Sequence, residues 1–100
     1  MDKLKPSQLL RLGSKQVPKC KKTFFDMNKE GQVTAACAIG MITIGYTGTT
    51  KFQDNWDKIP KILEMLRNEY CVDTLTITQM NDGYDKSPEY IAKWLESKNL

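Results

Sequence analysis

The sequence predicts a mainly α fold: a small single globular domain over residues 1–100, with about four helices and a short extended or hairpin segment near residues 22–34. Three stretches carry that prediction. In DNWDKIPKILEMLRNEY, Ile59, Ile62, Leu63, Leu66 and Tyr70 recur at the i, i+3, i+4, i+7 spacing of one helical face. In SPEYIAKWLESK, Ser87 is placed to cap, Pro88 to take the first helical position and Glu89 to meet the positive end of the dipole. An apolar stripe of Ile91, Trp94 and Leu95 follows. In PSQLLRLGSKQV, Leu9, Leu10 and Leu12 lie on a short helix that Pro18 must end, because proline disfavours the helical conformation of the residue before it.

KKTFF, with two aromatics and a threonine, suits an extended chain. DMNKEG is turn chemistry, with Asn28 and Gly31 able to take positive φ. TAACAIGMITIGYTG is small or apolar on every side, so periodicity does not separate a buried helix from a buried strand over residues 35–46. Ala35, Ala36, Ala38 and Met41, with Gly48 as a stop, favour the helix, against the strand-like ITI. Asp57 is expected to cap the helix that contains Pro60 in its first turn. CVDTLTITQM alternates Leu75, Thr76, Ile77 and Thr78 and is strand-like by propensity.

Composition removes several classes of function. The chain of 100 residues contains no histidine, which excludes imidazole acid–base chemistry, the usual Ser-His-Asp and Cys-His nucleophiles and histidine-ligated zinc. Three cysteines without a CxxC pair match neither a disulfide framework nor a zinc site, and no cofactor is expected. GYTGTTK has the wrong spacing for a phosphate loop. No apolar run reaches the roughly 18 residues of a membrane span, and MDKLKPSQLL has no apolar signal region. The expectation is a soluble, cytoplasmic protein with no membrane partner.

Charge is uneven. Residues 1–29 hold eight Lys/Arg against two Asp/Glu, while the rest hold seven against ten. Lys15, Lys19, Lys21 and Lys22 form a candidate basic patch, read first as a solvated face and second as a weak nucleic-acid surface; a lone arginine there argues against base readout.

Two further groups of residues invite a chemical reading. Asp26, Asn28, Glu30, Gly31 and Val33 match the first part of a calcium loop, but the position that needs a bidentate glutamate is Cys37. The segment is therefore read as a turn. Cys37, among Ala36, Ala38 and Ile39, is expected to be buried and inert, and Cys20 between lysines to be the more reactive thiol. In MNDGYDKSPE, Asn81, Asp82, Asp85 and Glu89 form a candidate functional corner. Its carboxylates could serve acid–base or metal chemistry, while the competing reading is a turn set by Asn81, Asp82 and Gly83.

ACAIG after a turn, then MND, then SPEYIAKWLE together resemble a loose group of small phage and bacterial proteins. These carry a Cys-Ala-Leu-Gly-type helix, an Asn-Asp corner and a C-terminal Ile-Ala-x-Trp-Leu helix. The resemblance runs from about Phe24 to Glu96 and rests on Cys37, Ala38, Gly40, Asn81, Asp82, Ile91, Ala92, Trp94 and Leu95. It implies a mainly helical domain and a helical turn at TITQMND, and no activity. The leading expectation is a non-enzymatic binding or accessory protein, with a protein partner or a second copy of itself. An enzyme built on Asp82, Asp85 and Glu89 is the alternative.

Overall fold

The computed structural model describes residues 4–100. Helix α1 (Pro6–Gln16) leads into a hairpin of β1 (Phe25–Met27) and β2 (Val33–Ala36), followed by α2 (Ala38–Thr47), α3 (Phe52–Trp56), α4 (Ile59–Glu64), α5 (Thr74–Thr78) and α6 (Pro88–Glu96). The fold is thus mainly helical with one short antiparallel hairpin, as the sequence predicts.

α1 begins with Pro6 at its first position, and the Lys5 N–H donates to Gln8 Oε1 at 2.7 Å. It ends where Val17 turns extended ahead of Pro18. α1 and α2 cross with their backbones in contact. A Cβ on Gly13 would lie 1.9 Å from the Met41 carbonyl oxygen, and one on Gly45 would lie 2.1 Å from that of Leu9. The two glycines make the same contact from opposite sides. Their four-residue spacings, Leu9 to Gly13 and Met41 to Gly45, set the crossing point.

Ala36 is the hub of the sheet region. It pairs with Phe25 on one side, and on the other its N–H donates to the Pro18 carbonyl while its carbonyl accepts from the Cys20 N–H. The calcium-like stretch is the end of this hairpin. Asn28 Oδ1 accepts from the N–H groups of Glu30 and Gln32, and Gly31 takes φ 77°. Cys37 then caps α2, its Sγ accepting from the Gly40 N–H at 3.5 Å. Ala38 to Ile44 are all buried, and Gly48 closes the helix at φ 74°.

The sequence expectations need two corrections here. Asp57 does not cap α4; it ends α3, its backbone N–H bonds to the Gln53 carbonyl and its carboxylate accepts from Gln53 Nε2. The reason is α3 itself, a single turn that the connection between α2 and α4 conceals. It is held by Asn55, fully buried, whose side chain accepts from Thr47 Oγ1 and donates to the carbonyls of Thr49 and Lys51, each at 2.8 Å. LTIT, strand-like by propensity, is also helical, in line with the helical turn that the resemblance implies at TITQMND. Asp73 caps it, accepting from the Leu75 N–H, and the helix buries Thr74 and Ile77 while Leu75 faces solvent.

α4 and α5 end in the same way, fourteen residues apart. Each widens into a π-helical turn, over Met65–Glu69 and Gln79–Gly83. Tyr70 and Tyr84 then bond back five residues, and Val72 and Lys86 six. Between them Cys71 and Asp85 adopt φ of 54° and 53°, the left-handed conformation that costs an L-residue about 1 kcal/mol. Ser87 caps α6 by accepting from the Tyr90 N–H, as expected. Ile91, Ala92 and Leu95 enter the core with Leu10, Ile42, Ile62 and Leu66.

Candidate functional site

The residues one step along from Phe25 and Ala36 point to the other face of the sheet region, since side chains alternate along an extended chain. Phe24 and Cys37 line a cleft of about 320 Å³ there, together with Lys22, Thr23, Trp56, Thr78 and Asp82. Four elements build it: the approach to β1, the start of α2, the end of α5 with the turn that follows it, and α3, which supplies Trp56. Phe24 and Trp56 meet edge to face with ring centroids 6.4 Å apart. Trp56 stacks on Phe52 at 5.7 Å, and Phe52 meets Phe25 edge to face at 6.0 Å. This chain of rings ties the cleft wall to the core, while Trp56 itself stays 49% exposed.

The candidate corner is divided by the fold. Asn81 is buried: its Oδ1 accepts from the Ala38 N–H at 3.1 Å, and its Nδ2 donates to the Cys20 carbonyl at 3.0 Å and to Asp82 Oδ1 at 2.7 Å. It joins α5, α2 and the segment after α1, which is a structural role. Asp82 alone faces the cleft. Asp85 takes Lys19 at 2.6 Å and Lys21 at 3.1 Å, and these two bonds hold its carboxyl below the usual range. Glu89 pairs with Arg11 at 2.8 Å, as does Glu96; both carboxyls are held low by that guanidinium, whose own pKa rises in turn. Among the described residues, no three cysteines and carboxylates are grouped so as to hold a metal ion.

The candidate basic patch is divided too. Lys19 and Lys21 are engaged by Asp85, with Lys19 also donating to the Lys86 carbonyl. Lys22 stands on the rim of the cleft at φ 68°, and Lys15 lies in the last turn of α1.

The thiols differ from the sequence expectation in one respect. Burial pushes Cys37 up, as expected. Burial, with help from Asp26, also pushes Cys20 up to about 11, so its lysine neighbours do not activate it. The exposed thiol is Cys71.

Compared with models of known protein families, with curated proteins and with solved structures, the chain matches none. The site must therefore be read from its own geometry. The aromatic wall was the part that sequence reasoning missed. Its signal was available in FQDNW, where Phe52 and Trp56 are four residues apart and share a face if the segment is helical. Among the described residues no helix is long and apolar enough to cross a membrane.

Proposed function

We propose that the protein is a non-enzymatic binding module that holds a side chain of a partner protein in the cleft between Phe24, Trp56 and Asp82. The observation that carries the reading is the half-exposed Trp56 set edge to face against Phe24 over that cleft. Its volume, about 320 Å³, is at the low end for small-ligand sites, enough for one or two side chains. An indole fixed on a stacked phenylalanine is an anchor of the kind that dominates protein interfaces, because large apolar area is offered with little conformational entropy to lose.

The enzyme alternative finds less support. Of its three carboxylates, Asp85 and Glu89 are engaged by cations and only Asp82 lines the cleft. Nucleic-acid binding is likewise weakened by the pairing of Lys19 and Lys21 with Asp85. Three free thiols fit a reducing, cytoplasmic setting.

Selection from a random displayed-peptide library tests the reading, run in parallel on wild type and Trp56→Ala. Peptides enriched on wild type and lost on Trp56→Ala would support it. Enrichment that ignores the substitution would place binding elsewhere and overturn it.

A further inference from the structure

We infer that the side chain this cleft accepts is cationic, a lysine or arginine of the partner whose stem lies on Phe24 and Trp56 and whose head reaches Asp82; this deepens the binding reading above and rests on it. Two observations carry the inference.

The first is the way this chain pairs lysines with aromatic rings. Three aromatic rings carry a lysine of the same chain over their faces: Tyr46 with Lys61 at 5.4 Å, Tyr90 with Lys86 at 4.6 Å and Trp94 with Lys98 at 5.1 Å. Trp56 carries none among the described residues: Phe52 stacks on it and Phe24 meets it edge to face, so a cation would reach only the part of the indole that these rings leave exposed, and an indole is the best ring for a cation.

The second is Asp82. It makes no ion pair with any described residue, whereas Asp85, three positions on, takes two lysines. Its recorded bond is from Asn81 Nδ2 to one oxygen, which leaves the second oxygen to accept from a ligand.

An anion would find less there. The α2 N-terminus abuts the cleft through Cys37, but the Ala38 N–H already donates to Asn81 Oδ1 and the Gly40 N–H to Cys37 Sγ. Lys22 on the rim is the opposing charge. It is exposed, and a solvated ammonium on a flexible stem weakens a cationic ligand without blocking it.

The sign of the site is decided by three blocked pentapeptides, acetyl-Gly-Ser-X-Ser-Gly-amide, with X as lysine, norleucine or glutamate. Binding is read from the Trp56 indole resonance by NMR titration at low salt. The lysine peptide is expected to bind best, and Asp82→Asn to weaken it roughly tenfold, the factor for one partly desolvated charge contact. Asp82→Asn keeps the acceptor for Asn81 Nδ2, and its amide spectrum checks that the fold is unchanged. Lys22→Glu should strengthen lysine binding several-fold.

Equal binding of norleucine and lysine would overturn the cationic preference while leaving the binding reading intact. A preference for glutamate, or loss of binding in Lys22→Glu, would reverse its sign. No shift of Trp56 with any of the three, alongside Trp56-dependent peptides from the library, would sink the cationic inference alone.

Discussion

Gly13→Ala tests the contact on which the helical core is built. The added Cβ would sit 1.9 Å from the Met41 carbonyl oxygen, and 3.0 Å is the closest that real Cβ atoms come. The helices must therefore part by about 1.1 Å at that point. Moving α1 would also disturb the exposed ion pairs of Arg11 with Glu89 and Glu96 of α6, a smaller effect. A radial gap of that size forfeits up to about half of the dispersion attraction across the crossing, where Leu10 and Ile42 are fully buried. Overpacking costs about 1–3 kcal/mol, and a clash with backbone falls at the upper end, about 3 kcal/mol, against about 1 kcal/mol gained in helix propensity. We expect a net loss of about 2 kcal/mol, or a melting temperature lower by roughly 10 °C for a domain of this size. Urea denaturation measures it, with Gly83→Ala as the control: a Cβ there meets nothing within 4 Å. That control should be neutral or gain a few tenths of a kcal/mol, about the effect of a compatible Gly→Ala change. Gly13→Ala and Gly45→Ala should be less than additive together, because the first already separates the helices. A Gly13→Ala protein as stable as wild type would refute the backbone contact.

Asn81→Ala should lose roughly 1–3 kcal/mol in the same assay, chiefly because the buried Ala38 N–H is left unpaired, with the part-buried Cys20 carbonyl adding less; a loss under about 0.5 kcal/mol, the scale of surface substitutions, would show that Asn81 is not a structural tie. Native iodoacetamide labelling followed by mass mapping should find Cys71 modified first, then Cys20, with Cys37 last, and prompt reaction at Cys37 would contradict its burial. Cys20 also sets an alkaline effect. Its folded pKa of about 11 lies above the ordinary value of 9.0, so stability should fall as pH rises from the lower value through the higher, and less so in Cys20→Ala. In acid the sign reverses: Asp85, Glu89 and Glu96 have lowered folded pKa values, so their stabilisation is present above the ordinary carboxylate range near pH 4 and is lost as pH falls through the folded values. Arg11→Met should flatten that acid loss, and an unchanged pH profile would show the α1–α6 ion pairs to be without effect.

The parts of the fold legible in the sequence are those where one local rule decides. Pro18 ends α1, Asn28 and Gly31 turn the hairpin, and Ser87 with Pro88 opens α6. Each is a short-range backbone preference that no distant residue contradicts. Residues 74–78 were illegible to propensity, because β-propensity records packing on a sheet and the described sheet, β1 with β2, does not include them. Asp73 caps them and Ile77 finds the core only if they coil. α3 was hidden for a related reason: its five residues are too few for a periodic signal, and its stability comes from the buried Asn55, whose three bonds become visible only when the chain has folded. Gly13, Gly40 and Gly45 carry no local signal of their role, yet a Cβ on any of them would meet the backbone of another segment.

The Asn-Asp corner shows why a site can be located in sequence and still be misassigned. Asn81 and Asp82 are adjacent, polar and placed before a turn, so a sequence reading gives them one role. The helical turn that carries them puts the first inward and the second toward the cleft. Asn81 satisfies two backbone groups of the interior, and its remaining N–H steadies the Asp82 carboxylate. The structural residue thereby orients the one proposed to bind. Asp85 and Glu89, which shared the corner in sequence, are drawn off by lysines and an arginine from the N-terminal third. What remains at the cleft is one carboxylate beside two aromatic rings, with Lys22 on the rim. That is too little for a pair of acid–base groups, while a carboxylate beside aromatic rings is what the proposed binding of a cationic side chain would draw on.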